Sequence, residues 1–239
     1  MELLDLTLPA PEQNLACDEA FLDLCEAGGG GELLRFWEPV QYFVVVGYGN
    51  SVATEVNVAF CQEQTIPILR RSTGGGTVLQ GPGCLNYSLF LRVDGSHPVQ
   101  SISATNDFVM NRHREALGRL LRAPVEKQGH TDLAIGGLKF SGNAQRRRKR
   151  FILFHGCFLL NLDLGLVEKS LRMPSRQPAY RLNRSHSDFL MNIRIPSAAL
   201  KTELCRIWKA AGVFAGFPSP QIDLLVRDKY SRGEWNLKF

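Results

Sequence analysis

The hydrophobic positions along the chain follow two periods, one typical of helices and one typical of strands. Residues 11–27 and 103–122 carry apolar side chains at three- and four-residue spacing, which predicts amphipathic helices. Shorter helices are predicted near residues 54–65 and 197–211. Segments rich in aromatic and β-branched residues predict strands, and they cover residues 33–39, 41–49, 66–71, 85–93 and 151–164.

The remaining segments predict turns and one hairpin. Residues 131–145 predict a β-hairpin, because Gly136-Gly137 separates two strand-like runs. Residues 72–83 predict a loop, because five of them are glycines. Strands follow strands without a regular β–α alternation, so the pattern favours an α+β fold with a mixed β-sheet flanked by helices. We expect one domain over residues 1–239, without a separate C-terminal accessory domain.

Composition narrows the class of protein. Hydrophobic residues make up 44% of the 239 positions, and no apolar run approaches the ~20 residues of a membrane-spanning helix. The N-terminus lacks the pattern of a signal peptide, so we expect a cytoplasmic location. The six cysteines form no C-x-x-C pair, which argues against a zinc site and a disulfide framework. The net charge of +5 fits either solubility or an acidic partner.

Residues 70–78, RRSTGGGTV, are the most informative stretch of the chain. Gly74, Gly75 and Gly76 leave no Cβ on one part of the loop, so backbone N–H groups can approach an anion or a flat ligand closely. Arg70 and Arg71 arrive just before the loop, and an arginine can grip a phosphate or a carboxylate through two parallel bonds. We therefore favour a ligand-binding loop over a mobile surface loop.

A second candidate cluster surrounds Lys139. Strand alternation places Lys139 on the face opposite Leu138 and Phe140, where it serves either as a solvated lysine or as a charge that holds a carboxylate or phosphate. Gly142 clears space near it. Other candidates are Asn86 and His155, for which a structural role is an equal or better alternative. The basic run at 146–150 is interpreted as a solvated turn, with docking of an acidic protein as the second reading.

Three ordered segments resemble the motifs of the lipoate–protein ligase A family, within the wider biotin/lipoate protein ligase family. They are RRSTGGGTV (residues 70–78), TDLAIGGLKFSGNA (131–144) and HGCFLLNLDL (155–164). The resemblance covers nearly the whole chain. It implies a biotinyl/lipoyl protein ligase catalytic domain with a class II synthetase-like architecture.

The same resemblance implies an activity and a set of site residues. Such enzymes activate lipoate or octanoate with ATP and Mg²⁺ to acyl-AMP, and then acylate a lysine of an acidic lipoyl domain or a glycine-cleavage H-type protein. A separate accessory subunit is compatible with this scheme. By position, Arg71 would contact phosphate and Lys139 would hold the carboxylate. The remaining binding residues would be Gly74, Gly75, Gly76, Thr77, Val78, Asn86, Ser141, Gly142 and His155.

Rival activities remain open. Acyltransferases of the same fold take octanoyl or lipoyl groups from a thioester through a cysteine, which in one branch lies just before the D-L motif. Residues 126–133, EKQGHTDL, contain no cysteine there. Cys157 lies within its strand and Cys84 lies beside the glycine loop, so neither matches the family position. A biotin ligase ranks third, because its G-R-G-R-x-G loop is absent, and a non-catalytic binding module ranks last.

Overall fold

The computed structural model describes residues 1–212, 214 and 216–239. Its strands fall into a seven-stranded sheet of order β1-β2-β6-β10-β9-β8-β7 and a three-stranded sheet of order β4-β3-β5. Their bounds are β1 (Glu2–Asp5), β2 (Leu33–Trp37), β3 (Phe43–Val46), β4 (Ile68–Arg70), β5 (Val78–Gln80), β6 (Cys84–Arg92), β7 (Glu126–Gln128), β8 (Asp132–Ile135), β9 (Leu138–Arg147) and β10 (Phe151–Leu159).

Both sheets mix parallel and antiparallel pairs, which confirms the expected α+β fold with a mixed sheet. The pairs β1–β2 and β3–β4 are parallel, and the other pairs are antiparallel. The predicted hairpin of β8 and β9 is confirmed, with Gly136 and Gly137 at φ of 56° and 75°. Two positive φ values are the requirement of a type I′ turn, which glycine meets without steric cost.

Helices flank both sheets. They are α1 (Pro11–Ala27), α2 (Val52–Glu55), α3 (Val58–Glu63), α4 (Ile102–Leu121), α5 (Leu164–Ser170), α6 (His186–Phe189), α7 (Ser197–Trp208), α8 (Ser219–Leu225) and α9 (Gly233–Asn236). No helix that the structure describes is both long and apolar enough to cross a membrane.

Three expectations from the sequence need correction. The stretch 72–83 is not all loop, because residues 78–80 pair with β3 as strand β5. The helix expected near 54–65 is two helices, since Val56 is extended and Asn57 caps a new helix by accepting a bond from the amide of Phe60. Strands β1 and β7 were not predicted, because each is an edge strand of only three or four residues.

The seven-stranded sheet divides the core into two layers. On one face it packs against α4 and α7, around Leu34, Tyr87, Phe154 and Phe158. On the opposite face it packs against α1, α8 and part of the small sheet, around Phe21, Phe90 and other apolar side chains. The candidate residues of the glycine loop and of β10 lie on this second face, which is called the α1 face below.

Candidate active site

The glycine loop (residues 72–77) is held from within by the guanidinium of Arg71. Arg71 Nη2 donates to the carbonyl oxygens of Gly74 and Gly76, at 2.7 Å each. Its Nε donates to Thr73 Oγ1 at 3.0 Å. Burial lowers the pKa of Arg71 to about 10, so the side chain stays cationic at neutral pH. The guanidinium of Arg71 therefore donates to loop carbonyls, and these hydrogen bonds hold the loop in its conformation.

A second segment, the turn of residues 47–50, holds the other side of the glycine loop. The amide of Tyr48 donates to the Thr73 carbonyl at 2.9 Å, and Asn50 Nδ2 donates to the Gly75 carbonyl at 3.2 Å. A Cβ added at Gly47 would lie 2.0 Å from the Gly75 oxygen, so only glycine permits this approach. With Arg71, the carbonyls of residues 73–76 all accept hydrogen bonds from the protein.

The amides of the glycine loop, unlike its carbonyls, have no hydrogen-bond partner in the described part of the chain. Within the described part of the chain, the N–H groups of Gly74, Gly75 and Gly76 donate to no protein acceptor. Gly75 has φ of +90°, and a Cβ added at Gly74 or Gly76 would meet nothing within 4 Å. Consecutive free N–H groups around a left-handed residue form a concave anion site. The loop can therefore offer its backbone donors to a negatively charged ligand.

Lys139 reaches the same face because of a β-bulge. Along β8, Leu133 pairs with Ser141 and Ala134 pairs with Lys139, so Phe140 is an extra residue on β9. The bulge shifts the alternation by one residue and puts Lys139 on the side of Gly142. A Cβ added at Gly142 would lie 2.8 Å from Lys139 Nζ, so glycine makes room for the ammonium.

Asp132 and Tyr180 fix the position of the lysine ammonium. Lys139 Nζ lies 2.8 Å from Asp132 Oδ1, and the Tyr180 hydroxyl donates to Asp132 Oδ2 at 2.8 Å. Burial and the neighbouring Asp132 raise the pKa of Tyr180 well above its usual value, so the phenol keeps its proton. The Lys139 side chain is 23% exposed, which leaves part of the ammonium open to a ligand.

The glycine loop and Lys139 face one small area of the sheet. The Cβ position of Gly75 lies 3.5 Å from the Ala144 side chain, and Gly142 is two residues further along β9. Two strand residues span about 7 Å, so the ammonium beside Gly142 lies within the reach of one ligand from the loop.

His155 ties the base of the loop to the sheet. Its Nε2 lies 2.7 Å from Thr73 Oγ1, and its Nδ1 lies 4.0 Å from Asp18 Oδ2. Because Thr73 Oγ1 already accepts a bond from Arg71, the hydroxyl proton is free to point at Nε2. The geometry favours the tautomer with the proton on Nδ1, towards Asp18. Burial lowers the pKa of His155 to about 4, Asp18 opposes the shift and Arg71 adds to it, so the ring is neutral at pH 7.

The other predicted site residues divide between the two faces of the sheet. Asn86 pairs with Cys157 across β6 and β10, and its side chain donates to Gln80 Oε1 at 2.9 Å on the α1 face. Thr77 accepts a bond from Asn50, and Val78 packs against the α1 core. Ser141 is the exception. It pairs with Phe158, whose side chain lies in the opposite core, so the Ser141 hydroxyl points away from the loop.

Two charged residues behind His155, Asp18 and Arg35, were not in the predicted set. Asp18 on α1 accepts bonds from Arg35 Nη1 at 2.6 Å and from Ser88 Oγ at 2.7 Å, and all three side chains are buried. A charge in the middle of an otherwise apolar helix face was the available signal for Asp18. The bonds from Arg35 and Ser88 offset part of the desolvation cost of this buried carboxylate, and they hold it facing His155.

Two cysteines share the α1 face with Lys139. Cys84 and Cys157 are free thiols on neighbouring strands. The adjacent Cys84 thiol and burial raise the pKa of Cys157 well above its usual value. A thiol with a raised pKa is a poor nucleophile at neutral pH, since the thiolate is the reactive form.

Two of the five basic residues of the turn at 146–150 form ion pairs with helix α1. Arg146 Nη1 lies 2.8 Å from Glu19, Arg148 Nη2 lies 2.7 Å from Asp23, and Glu26 accepts from backbone amides of the turn. Residues 148–150 are exposed, as expected of a solvated tip, and ion pairs and backbone bonds to α1 anchor the turn at its base. Among the described residues, no group of three or more His, Cys, Asp or Glu side chains is arranged to hold a metal ion.

Residues 10–195 match the family model of the lipoyl protein ligase A/B catalytic domain. The fold and the site described above thus lie in a known family of acyl-transferring enzymes, and the chain belongs to the lipoyl protein ligase A/B catalytic domain family.

Relatives of the chain include proteins named as octanoyltransferases and proteins named as lipoate–protein ligases. The chain is 28% identical to octanoyltransferase LipM of Brevibacillus brevis, over 96% of this chain and 95% of that protein. It is 31% identical to lipoate–protein ligase 1 of Staphylococcus aureus, over 68% of this chain but only 47% of that protein. The chain is therefore an enzyme of the lipoate–protein ligase and octanoyltransferase family.

Solved structures share the fold. A Thermoplasma acidophilum putative lipoate protein ligase with bound lipoic acid has a TM-score of 0.83 at 22% identity, covering 100% of this chain and 99% of that chain. A lipoate-protein ligase A bound with ATP has a TM-score of 0.82 at 24% identity, covering 99% and 98%. A bipartite ligase studied with its E2 lipoyl domain, also from Thermoplasma acidophilum, has a TM-score of 0.80 at 24% identity, covering 99% and 95%.

The buried neutral state of His155 predicts a pH dependence of stability. Its pKa is near 4 in the folded chain and near 6.5 in the unfolded chain, so the unfolded state binds the proton first as the pH falls. The contribution, on the order of 3 kcal/mol, is present above pH 6.5 and is lost between pH 6.5 and 4. Glutamine cannot take up this proton, so His155→Gln should flatten that part of the profile.

Urea unfolding of both proteins at pH 7, 5.5 and 4.5 measures the difference between them. Buried His113, whose pKa is lowered to about 3, titrates in the same direction in both and cancels in the comparison. If the free energy of unfolding fell equally between pH 7 and pH 4.5 in both proteins, the lowered pKa of His155 would be contradicted.

Proposed function

We propose that this chain is a lipoate–protein ligase that activates lipoate or octanoate with ATP and transfers the acyl group to a lysine of a lipoyl domain. The observation that carries the proposal is the polarity of the glycine loop. Its carbonyls are bonded to Arg71 and to the turn of residues 47–50, while the amides of Gly74, Gly75 and Gly76 have no acceptor in the described chain. Lys139 adds a cation on the same face.

Activation requires positive charge at a defined place. A carboxylate oxygen of the acid attacks the α-phosphorus of ATP, the bond to the β-phosphate oxygen breaks, and pyrophosphate leaves. The two reactants repel each other, and negative charge accumulates on the α-phosphoryl oxygens. Preorganised donors that face these oxygens lower the barrier, and the loop amides with Lys139 would supply them. Arg71 acts in this scheme through the loop, whose carbonyls it holds.

Asp132 gives Lys139 an orientation before the substrate arrives. The ion pair at 2.8 Å holds the ammonium beside Gly142, and the Tyr180 hydroxyl keeps the carboxylate from rotating. An incoming anion then meets an ordered cation and does not have to immobilise a flexible side chain, whose ordering costs about 2 kcal/mol.

Transfer uses the same site. The amine of the acceptor lysine attacks the acyl carbonyl carbon, the bond to the AMP oxygen breaks, and the amine loses a proton. The net charge of +5 favours an acidic lipoyl or H-type acceptor domain. A separate accessory subunit remains part of the proposal, since one structural neighbour is a bipartite ligase. No feature of the proposal requires a membrane or a nucleic acid.

Mg²⁺ belongs to this proposal as the partner of ATP. Magnesium bound with a nucleotide is held mainly by phosphate oxygens and water, with one or two carboxylates from the protein. The ion would offset the charge of the phosphates, while both oxygens of Asp132 stay bonded to Lys139 and Tyr180.

A thioester-dependent octanoyltransferase is the second candidate. The full-length similarity to octanoyltransferase LipM favours it. It would need a cysteine nucleophile, and Cys157 lies on the face of Lys139 with a pKa raised well above its usual value. Because a thiol with a raised pKa stays protonated at neutral pH and is a poor nucleophile, this favours the ligase.

Intact-mass measurement of a lipoyl-domain acceptor separates the two candidates. The chain is offered lipoate with ATP and Mg²⁺ in one reaction and octanoyl-carrier protein without ATP in the other. Acylation only in the first reaction supports the ligase. If the acceptor is acylated only in the second reaction, and this acylation is lost in Cys157→Ser or Cys84→Ser, the chain is a transferase and the ligase proposal is wrong.

Lys139→Ala should leave the fold intact and reduce acylation of the acceptor by at least about 100-fold, because one charged donor to the reacting oxygens is worth about 3 kcal/mol. Lys127, whose ammonium pairs with Asp107 on the surface near β7, provides the matched control. Lys127→Ala should retain near-normal turnover. Comparable turnover in the two variants would exclude Lys139 from the site.

Gly75→Ala should weaken nucleotide binding, whereas Gly31→Ala should not. Residue 75 has φ of +90°, and its added Cβ would lie 2.9 Å from Arg71 Nη2, so the loop must shift. The left-handed conformation alone costs alanine about 1 kcal/mol or more. A Cβ at residue 31, outside the candidate site, meets no atom within 4 Å. Calorimetric titration with ATP measures the affinity of both variants, and equal affinities would refute the loop assignment.

A further inference from the structure

Arg70 holds the turn of residues 47–50 in the way that Arg71 holds the glycine loop. The side chain is fully buried, and its Nη1 donates to the carbonyl oxygens of Gly47, Tyr48 and Asn50 at 2.9, 3.0 and 2.8 Å. Three carbonyls on one guanidinium nitrogen fix the path of the turn. Arg70 therefore holds the turn of residues 47–50, and the adjacent Arg71 holds the glycine loop that packs against this turn.

A segment far along the chain holds Arg70 itself. This segment, residues 233–239, is called the C-terminal strap. Arg70 Nε donates to the Trp235 carbonyl at 3.1 Å, and Trp235 Nε1 donates back to the Arg70 carbonyl at 2.8 Å. Asn236 Oδ1 accepts from the Arg70 amide at 3.0 Å, and its Nδ2 donates to the Tyr230 carbonyl at 2.8 Å. The Phe239 carbonyl accepts from the amide of Val52, directly beyond the turn, at 2.8 Å.

The contacts form a continuous path from the strap to the site. The strap bonds Arg70, Arg70 bonds the turn, and the turn bonds the carbonyls of Thr73 and Gly75 in the glycine loop. Three consecutive glycines have high conformational freedom, so ordering them before a ligand binds requires contacts from outside the loop. Part of those contacts comes from residues about 160 positions away in sequence.

We propose that the C-terminal strap is a positioning element for the glycine loop, acting through Arg70 and the turn of residues 47–50. Trp235 and Asn236 are its contact residues, and they act on the ligand only through the loop. The consequence for ligand affinity rests on the proposed function of the loop, whereas the consequence for loop order does not.

Asn236→Ala tests the proposal with Asn57→Ala as its control. Asn57 also accepts one backbone bond and donates one, from Phe60 and to Lys169, but it lies at α3. Hydrogen exchange of the unliganded proteins reports local order. The informative amides are those of Tyr48 and Asn50, which donate to the Thr73 and Gly47 carbonyls. The amide of Leu153 in the central strand β10 reports global opening.

Asn236→Ala should accelerate exchange at Tyr48 and Asn50 about tenfold, because two local hydrogen bonds are lost. Exchange at Leu153 measures the loss of global stability, which both Asn236→Ala and Asn57→Ala cause. Asn57→Ala should leave Tyr48 and Asn50 at the wild-type rate. Trp235→Phe removes the indole donor to Arg70 and makes smaller the ring that packs against Tyr48. It should also accelerate exchange at the same amides, and it serves if the first variant does not fold. Wild-type exchange at Tyr48 and Asn50 in the strap variants, or equal acceleration in Asn57→Ala, would overturn the proposal.

ATP affinity of the same proteins separates this proposal from the proposed function. If wild type binds ATP, Asn236→Ala should bind it several-fold more weakly than Asn57→Ala does, and equal affinity would overturn the effect on the ligand. If wild type binds no ATP, the proposed function fails, and the exchange rates alone decide whether the strap orders the loop.

Discussion

The candidate site depends on the buried guanidinium of Arg71 and its bonds to the glycine loop. A loop with three consecutive glycines has no side chains with which to hold a conformation, and an isolated buried cation would be costly. The guanidinium of Arg71 and the loop stabilise each other, because the guanidinium donates to two loop carbonyls at 2.7 Å and these carbonyls replace the water around the buried cation. The result is a backbone whose carbonyls are bonded within the protein and whose amides at Gly74, Gly75 and Gly76 have no acceptor in the described chain. That polarity is what makes the loop suitable for an anionic ligand.

Lys139 completes the site through a local irregularity of the sheet. Without the extra residue at Phe140, strand alternation would separate Lys139 from Gly142 and from the loop side of β9. The bulge puts the ammonium on the α1 face, where Asp132 and Tyr180 orient it. Bulges are common where a sheet must aim a side chain, and here the bulge brings a cation towards the free amides of the loop. His155 and Thr73 then fix the distance between loop and sheet.

The strong local patterns made much of the fold predictable. The apolar spacing of α1 gave its bounds correctly, and Gly136-Gly137 located the hairpin. The motifs also pointed to the glycine loop, Lys139 and His155. The roles within the site depended on tertiary contacts that no local pattern encodes. Asp18 approaches His155 only because α1 packs on the sheet, and Lys139 and Ser141 lie on opposite faces only because of the bulge.

We propose that the free amides of the glycine loop and Lys139 form one site that activates a carboxylate with ATP. Lipoate-dependent exchange of labelled pyrophosphate into ATP would measure this activation, because exchange requires reversible formation of the acyl-adenylate and no acceptor protein. We expect exchange with lipoate or octanoate and none with biotin. Absence of exchange with every acid, from a protein that transfers octanoate from a carrier thioester, would contradict it.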